Sequence, residues 1–147
     1  MTSPQNININ SATIRLTVNN DANRIIEFNP EDVSFIESFY NLIQEFEKKT
    51  EEFKGRDLAL SKDKTVDKYG IPQNAGKRIA LTREICTYLR EKIDELFGEG
   101  TSNTSFGNIN NLDMFAQFFQ GIMPFIEDAR SKKTAKYLSN DKGDVME

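Results

Sequence analysis

The chain has 147 residues, 37% hydrophobic and 29% charged, with a formal net charge of -4, a profile that suits one domain with a real core and is too short for two. A membrane span, which needs roughly 20 apolar residues, is excluded because the longest apolar run, Met114 to Ile126, is broken by Gln117, Gln120, Gly121 and Pro124. A single cysteine and no histidine exclude an internal disulfide, a Cys-His nucleophile and a His-containing zinc site.

The polar start, Met1-Thr-Ser-Pro-Gln-Asn, has neither a basic region nor an apolar one, so no secretory signal is read and a cytoplasmic location is expected. After a polar lead-in with isolated Ile7 and Ile9, residues 12–18 alternate. Ile14, Leu16 and Val18 share one side and Thr13, Arg15 and Thr17 the other, which is the period of a half-buried strand. Asn19-Asn20-Asp21-Ala22-Asn23 is turn chemistry, and Arg24 to Phe28 returns as a second strand, giving a hairpin over about 12–28. Two strands alone are marginal and need cover.

Cover begins at Asn29-Pro30-Glu31-Asp32, where Asn29 is expected to cap a helix, Pro30 to take its first position, and Phe28 and Val33 to staple its start. Phe35, Ile36, Phe39, Tyr40, Leu42, Ile43 and Phe46 give this first helix, about 30–53, a broad apolar face, with a Glu45/Lys49 pair opposite. Residues 54–76 read as fraying helix, loop and one short turn, since Gly and Pro interrupt them repeatedly. A second helix, 77–97, carries Leu81, Ile85, Tyr88, Leu89, Ile93 and Leu96 on one side, places Cys86 among apolar neighbours as a small hydrophobe, and stops at Gly98.

Asn110 or Asn111 can cap a third helix, about 111–127. Leu112, Phe115, Phe119, Ile122 and Ile126 share one face; Met114, Phe118 and Phe125 form a second apolar stripe, and Pro124 threatens the end. A helix apolar on two faces is either central to the fold or keeps a face for a partner, so Met114, Phe118 and Phe125 are the candidate partner-binding residues. Residues 131–147 read as a charged, flexible tail beyond a globular unit over 1–130. The expected class is therefore α+β, mainly helical, with an N-terminal β-hairpin packed on a bundle of three main α-helices.

Gly98-Glu99-Gly100-Thr101-Ser102 invites comparison with phosphate loops but lacks a preceding strand and a Gly-Lys-Ser/Thr ending, and Asn103 stands where G-x-G-x-x-G needs its last glycine. A helix stop and a shaped loop is the better reading. Residues 108–113 lack the spaced acids of a calcium loop, and the neighbouring acids Asp94/Glu95 and Glu127/Asp128 face different ways on a helix, so no acid/base dyad is formed. Residues 31–53 hold seven acids and two bases, residues 54–92 ten bases and five acids. The basic middle is read as solvated helix surface or a contact with an acidic partner or neighbouring subunit, and nucleic-acid binding is not favoured. No cofactor, metal or catalytic residue is expected.

One resemblance joins these features. The hairpin, the Phe28-Asn-Pro-Glu-Asp32 helix start, and Asp94-Glu95-Leu96-Phe97-Gly98-Glu99-Gly100-Thr101-Ser102 followed by Ser105-Phe106-Gly107 and Asn111-Leu112 resemble the tail-assembly chaperone-like proteins of phages and prophages of Gram-positive bacteria. The likeness is loose over most of the chain and close over 94–112. It makes Phe97, Gly98, Glu99, Gly100, Thr101, Ser102, Phe106 and Gly107 a family-like loop. It implies a binding role without enzymatic chemistry: holding a long helical client, the tape-measure protein, soluble in the host cytoplasm while the tail assembles, with self-association possible in principle. A structural tail or connector subunit of the virion, or a small nucleic-acid-binding regulator, are the alternatives.

Overall fold

The alternation of Ile14, Leu16 and Val18 becomes a strand because a tight turn folds it back on its neighbour. The computed structural model describes residues 2–146, with side-chain surroundings through residue 138. In it β1 (Ile14–Val18) pairs antiparallel with β2 (Asp21–Phe28), Ile14 opposite Phe28 and Leu16 opposite Ile26. Asn19 and Asn20 sit at φ 53° and 59°, the left-handed pair that a two-residue hairpin turn demands and asparagine tolerates. The register shifts between Thr17 and Val18, so β2 bulges after its first residue and turns Arg24 toward the helices. Ile26 and Phe28 are buried, while Ile14, Leu16 and Val18 are half-buried on the same face.

The first helix, α1 (Val33–Ser61), starts later than expected. Asn29 does not cap it: its side-chain oxygen accepts from the Glu31 amide at 2.9 Å, and its amide donates to the Ser11 carbonyl. The cap is Asp32, which accepts from the Ser34 amide at 3.0 Å, and Pro30 lies in the preceding turn. Val33 is 74% exposed, so the staple with Phe28 does not form. At its far end α1 runs two turns beyond Phe53, because Asn74 closes it: the Asn74 amide donates to the carbonyls of Leu60 and Asp63. The irregular segment that follows contains a bridge between Val66 and Pro72.

Helix α2 (Ala75–Phe97) matches the expected span closely and lies against α1, with Leu81, Ile85, Cys86, Leu89 and Ile93 buried. Burial pushes the Cys86 thiol upward, as a small core hydrophobe requires. Two side-chain clamps bind α2 to α1. Arg78 donates from Nε and Nη2 to the two Asp57 oxygens at 2.7 and 2.9 Å. Tyr88 donates to Glu45 at 2.8 Å, and Lys49 lies over the Tyr88 ring, so the expected Glu45/Lys49 pair gives way to a contact between helices.

The stretch expected as open loop contains a short helix, α3 (Thr101–Phe106), a fourth helical element beside the three main ones. Helix α4 (Leu112–Met146) begins at Asn111, whose side chain accepts from the Asp113 amide at 2.9 Å. Pro124 does not end it, since one missing amide leaves the flanking helical bonds intact and the ring faces solvent. The charged segment from 131 is therefore helical through 146, with Lys132 paired to Asp128 at 3.0 Å. Of the tail expected over 131–147 to be flexible, Glu147 and the side chains beyond residue 138 lie outside the described residues.

Phe115, Phe119, Ile122 and Ile126 are buried in the core formed with α1, α2 and the hairpin. Removing either ring, Phe115→Ala or Phe119→Ala, leaves a cavity and should cost about 3 kcal/mol or more in chemical denaturation; an unchanged midpoint would show the wrong face buried. The hydrogen bonds from Arg78 hold the Asp57 carboxyl below its ordinary value of 3.8. Its contribution is present above that value and lost as pH falls through the lower folded-state one, so wild type should lose more thermal stability on acidification than Asp57→Asn. Equal losses in the two melts would remove the clamp.

Candidate partner-binding surface

The family-like loop is held together from within. Gly98 ends α2 at φ 119° and Gly100 precedes α3 at φ 89°, positions where a side chain would be strained. Asp94, in the last turn of α2, accepts from the Ser102 amide at 2.7 Å and the Ser102 hydroxyl at 3.0 Å, and Thr101 donates its hydroxyl to the Gly98 carbonyl at 2.8 Å. A carboxylate of the protein itself thus occupies the place at the α3 N-terminus where a phosphate would sit. Glu99 is exposed, whereas Thr101, Ser102 and Phe106 are buried. Gly107 caps α3 at φ 59°. The hairpin is tied to the same loop by Arg24, which donates to the carbonyls of Thr104 at 2.9 Å and Ser105 at 2.7 Å. Arg90 of α2 holds it from the other side, donating to the Asn110 side chain in the link before α4 at 2.9 Å and lying over the Phe106 ring.

The second stripe of α4 is unevenly covered. Phe118 is half-buried, its ring 5.1 Å from Phe97, 5.6 Å from Phe106 and 5.7 Å from Phe119. Met114 is half-buried with it, and the two border a narrow groove of about 200 Å³ beneath Val18 and Asn19. Only Phe125 stands open, at 42% exposure, with its edge toward Phe28 at 6.5 Å. It forms part of a trough of about 500 Å³ between α4 and the chain around Ile14 and Pro30. A second trough of about 330 Å³ lies on the other flank of α4, where Val33 and Ile36 meet Ala129 and Tyr137. Val33, Phe125, Tyr137 and Leu138 are all exposed around this half of the helix. Lys132, Lys133 and Lys136 rim it, and Glu31 and Asp128 draw part of that charge inward.

Periodicity groups Met114, Phe118 and Phe125 in one stripe, but of the three only Phe125 is exposed, and Met114 and Phe118 are half-buried. Sequence reasoning also missed Val33 and Tyr137, which periodicity assigned to a staple and to the tail. Arg24 and Asn74 were missed because polar side chains that close a distant helix end carry no periodic signal. Of the paired acids, Asp94 caps α3, and Glu127 accepts from the Tyr40 hydroxyl at 3.0 Å. Burial, aided by Glu127, pushes the Tyr40 phenol upward. Among the described residues no cluster of acids and cysteine could hold a metal ion, and no helix is long and apolar enough to cross a membrane.

Residues 20–143 match the model of a family described as "Family of unknown function (DUF6673)". No curated protein and no solved structure gives a match. The division of the stripe makes a direct test. Phe118→Glu places a charge among three rings and should lower the melting temperature substantially, whereas Phe125→Glu should leave it nearly unchanged. Equal melting temperatures would show that Phe118 is not part of the core.

Proposed function

The chain belongs to that family, whose description assigns no activity, and we propose from its own residues and surfaces that it is a phage tail-assembly chaperone-like binding protein without catalytic chemistry. Its client is a long helical chain of the tape-measure type, held soluble while tail subunits assemble in the host cytoplasm. The observation that carries this reading is the exposed Phe125, set in a trough beside α4 with Val33 and Tyr137 nearby, after the core has already buried the main α4 face. A client helix presenting apolar residues at 3- and 4-residue spacing fits such a trough by laying its stripe along α4. The lysine rim favours clients with acidic flanks. The likeness of residues 94–112 to tail-assembly chaperones supports the same role.

Displacement during assembly is easier when many weakly held copies line one client than when a single copy holds it tightly, which agrees with shallow troughs of moderate size. Co-expression with the tape-measure protein of the same phage or prophage provides the test. Wild type should keep that client soluble and co-purify with it, and Phe125→Glu should remove most of the recovery at an unchanged melting temperature. Full recovery with the folded variant would reject this surface. Stoichiometric presence of the protein in purified particles would instead favour a structural tail subunit.

A further inference from the structure

Residues 6–10, Asn6-Ile7-Asn8-Ile9-Asn10, alternate apolar and polar as a half-buried strand does, yet among the described residues they make no strand pairing. Ile7 is 79% and Ile9 82% exposed. Side-chain bonds within the arm are local, Asn6 to Asn8 at 3.1 Å and the Ala12 amide to Asn10 at 2.9 Å. The base of the arm is fixed, because Asn29 donates to the Ser11 carbonyl. A rooted, extended, alternating segment with two bare isoleucines is a strand without a sheet.

The sheet has the complementary gap. It has two strands, and β1 pairs with β2 along one edge while no backbone bond occupies its other edge among the described residues. Such edges are usually guarded by charge or proline. On β1 the one charge is Arg15, which faces outward and is paired to Glu27 at 2.9 Å. The residues on its inner face, Ile14, Leu16 and Val18, are half-buried; Val18 borders the open groove over Met114 and Phe118, and Ile14 the trough at Phe125.

We propose that the arm of one copy adds as a third strand to the free edge of β1 in a second copy, with Ile7 and Ile9 on the same face as Ile14, Leu16 and Val18. Residues 2–14 carry no charge, so the added strand brings no repulsion against the Arg15–Glu27 pair. The arm leaves its own β1 at Ala12, φ 65°, with its isoleucines in solvent, which directs it outward to a neighbour. A five-residue arm spans about 17 Å. Two arms exchanged reciprocally would bury on the order of 1,000 Å², enough for specific association. This inference concerns self-association without a client and stands independently of the client proposal.

Light scattering and sedimentation of the full chain without client test it, alongside the double variant Ile7→Asp/Ile9→Asp. Wild type should form a dimer or larger closed assembly in which the β1 amides that face away from β2 resist hydrogen exchange. The double variant should keep the wild-type melting temperature and circular dichroism, self-associate at least about tenfold more weakly, and lose that protection. A wild type that stays monomeric overturns the inference, including one whose arm amides are protected by folding back on its own β1. An assembly that survives the double substitution overturns it too.

Discussion

Phe97, the last residue of α2, is where the pieces of this fold meet. Its ring lies 5.8 Å from Phe28 of the hairpin, 5.2 and 6.1 Å from Phe35 and Phe39 of α1, and 5.1 Å from Phe118 of α4. Most of these contacts are edge-to-face, the arrangement that aromatic quadrupoles favour, so the cluster fixes orientation as well as burying area. Gly98 and Gly100 follow immediately because the chain must reverse beside this cluster without adding side chains to a strained backbone. Asp94 then anchors the reversal by closing α3, and Arg24 brings the hairpin onto it. The segment from Asp94 to Gly107 is therefore a structural joint, and its conformation sets where the hairpin lies against the helices.

That placement controls what remains available for binding. A helix with two apolar faces can bury only one against α1 and α2. Phe97 of α2 and Phe106 of α3 half cover Phe118, while Phe125 meets only Phe28 at the end of the hairpin and stays exposed. Since a two-stranded sheet is narrow, cover is incomplete on both sides: a trough remains at Phe125, and an unpaired edge remains along β1. Both openings arise from the same economy of strands. They offer different chemistry, since the trough presents side chains to a helix and the edge presents backbone groups to a strand.

Polar side chains do much of the joining between elements. The Asp57–Arg78 pair, Tyr88 with Glu45, Tyr40 with Glu127, and Arg90 with Asn110 each connect helices or a helix and a loop. Each is partly exposed, so its value lies in register more than in stability. Asn74 differs because it is buried, and its amide donates to the Asp63 carbonyl just past the end of α1 and adds a second donor at Leu60.

Local patterning by itself determined the class and most elements. Alternation gave β1, the Asn pair gave its turn, 3- and 4-residue spacing gave α1, α2 and the buried face of α4, and Gly98 gave the stop. These features depend on neighbours within a few residues, so they are written in order along the chain. The tertiary structure decided which side chains close which helix ends, extending α1 through Asn74 and moving its start from Asn29 to Asp32. It also decided that Phe118 turns inward while Phe125 stays open. Those outcomes depend on where Phe97, Phe106 and distant polar side chains come to rest around each helix, and helical periodicity carries no information about those placements.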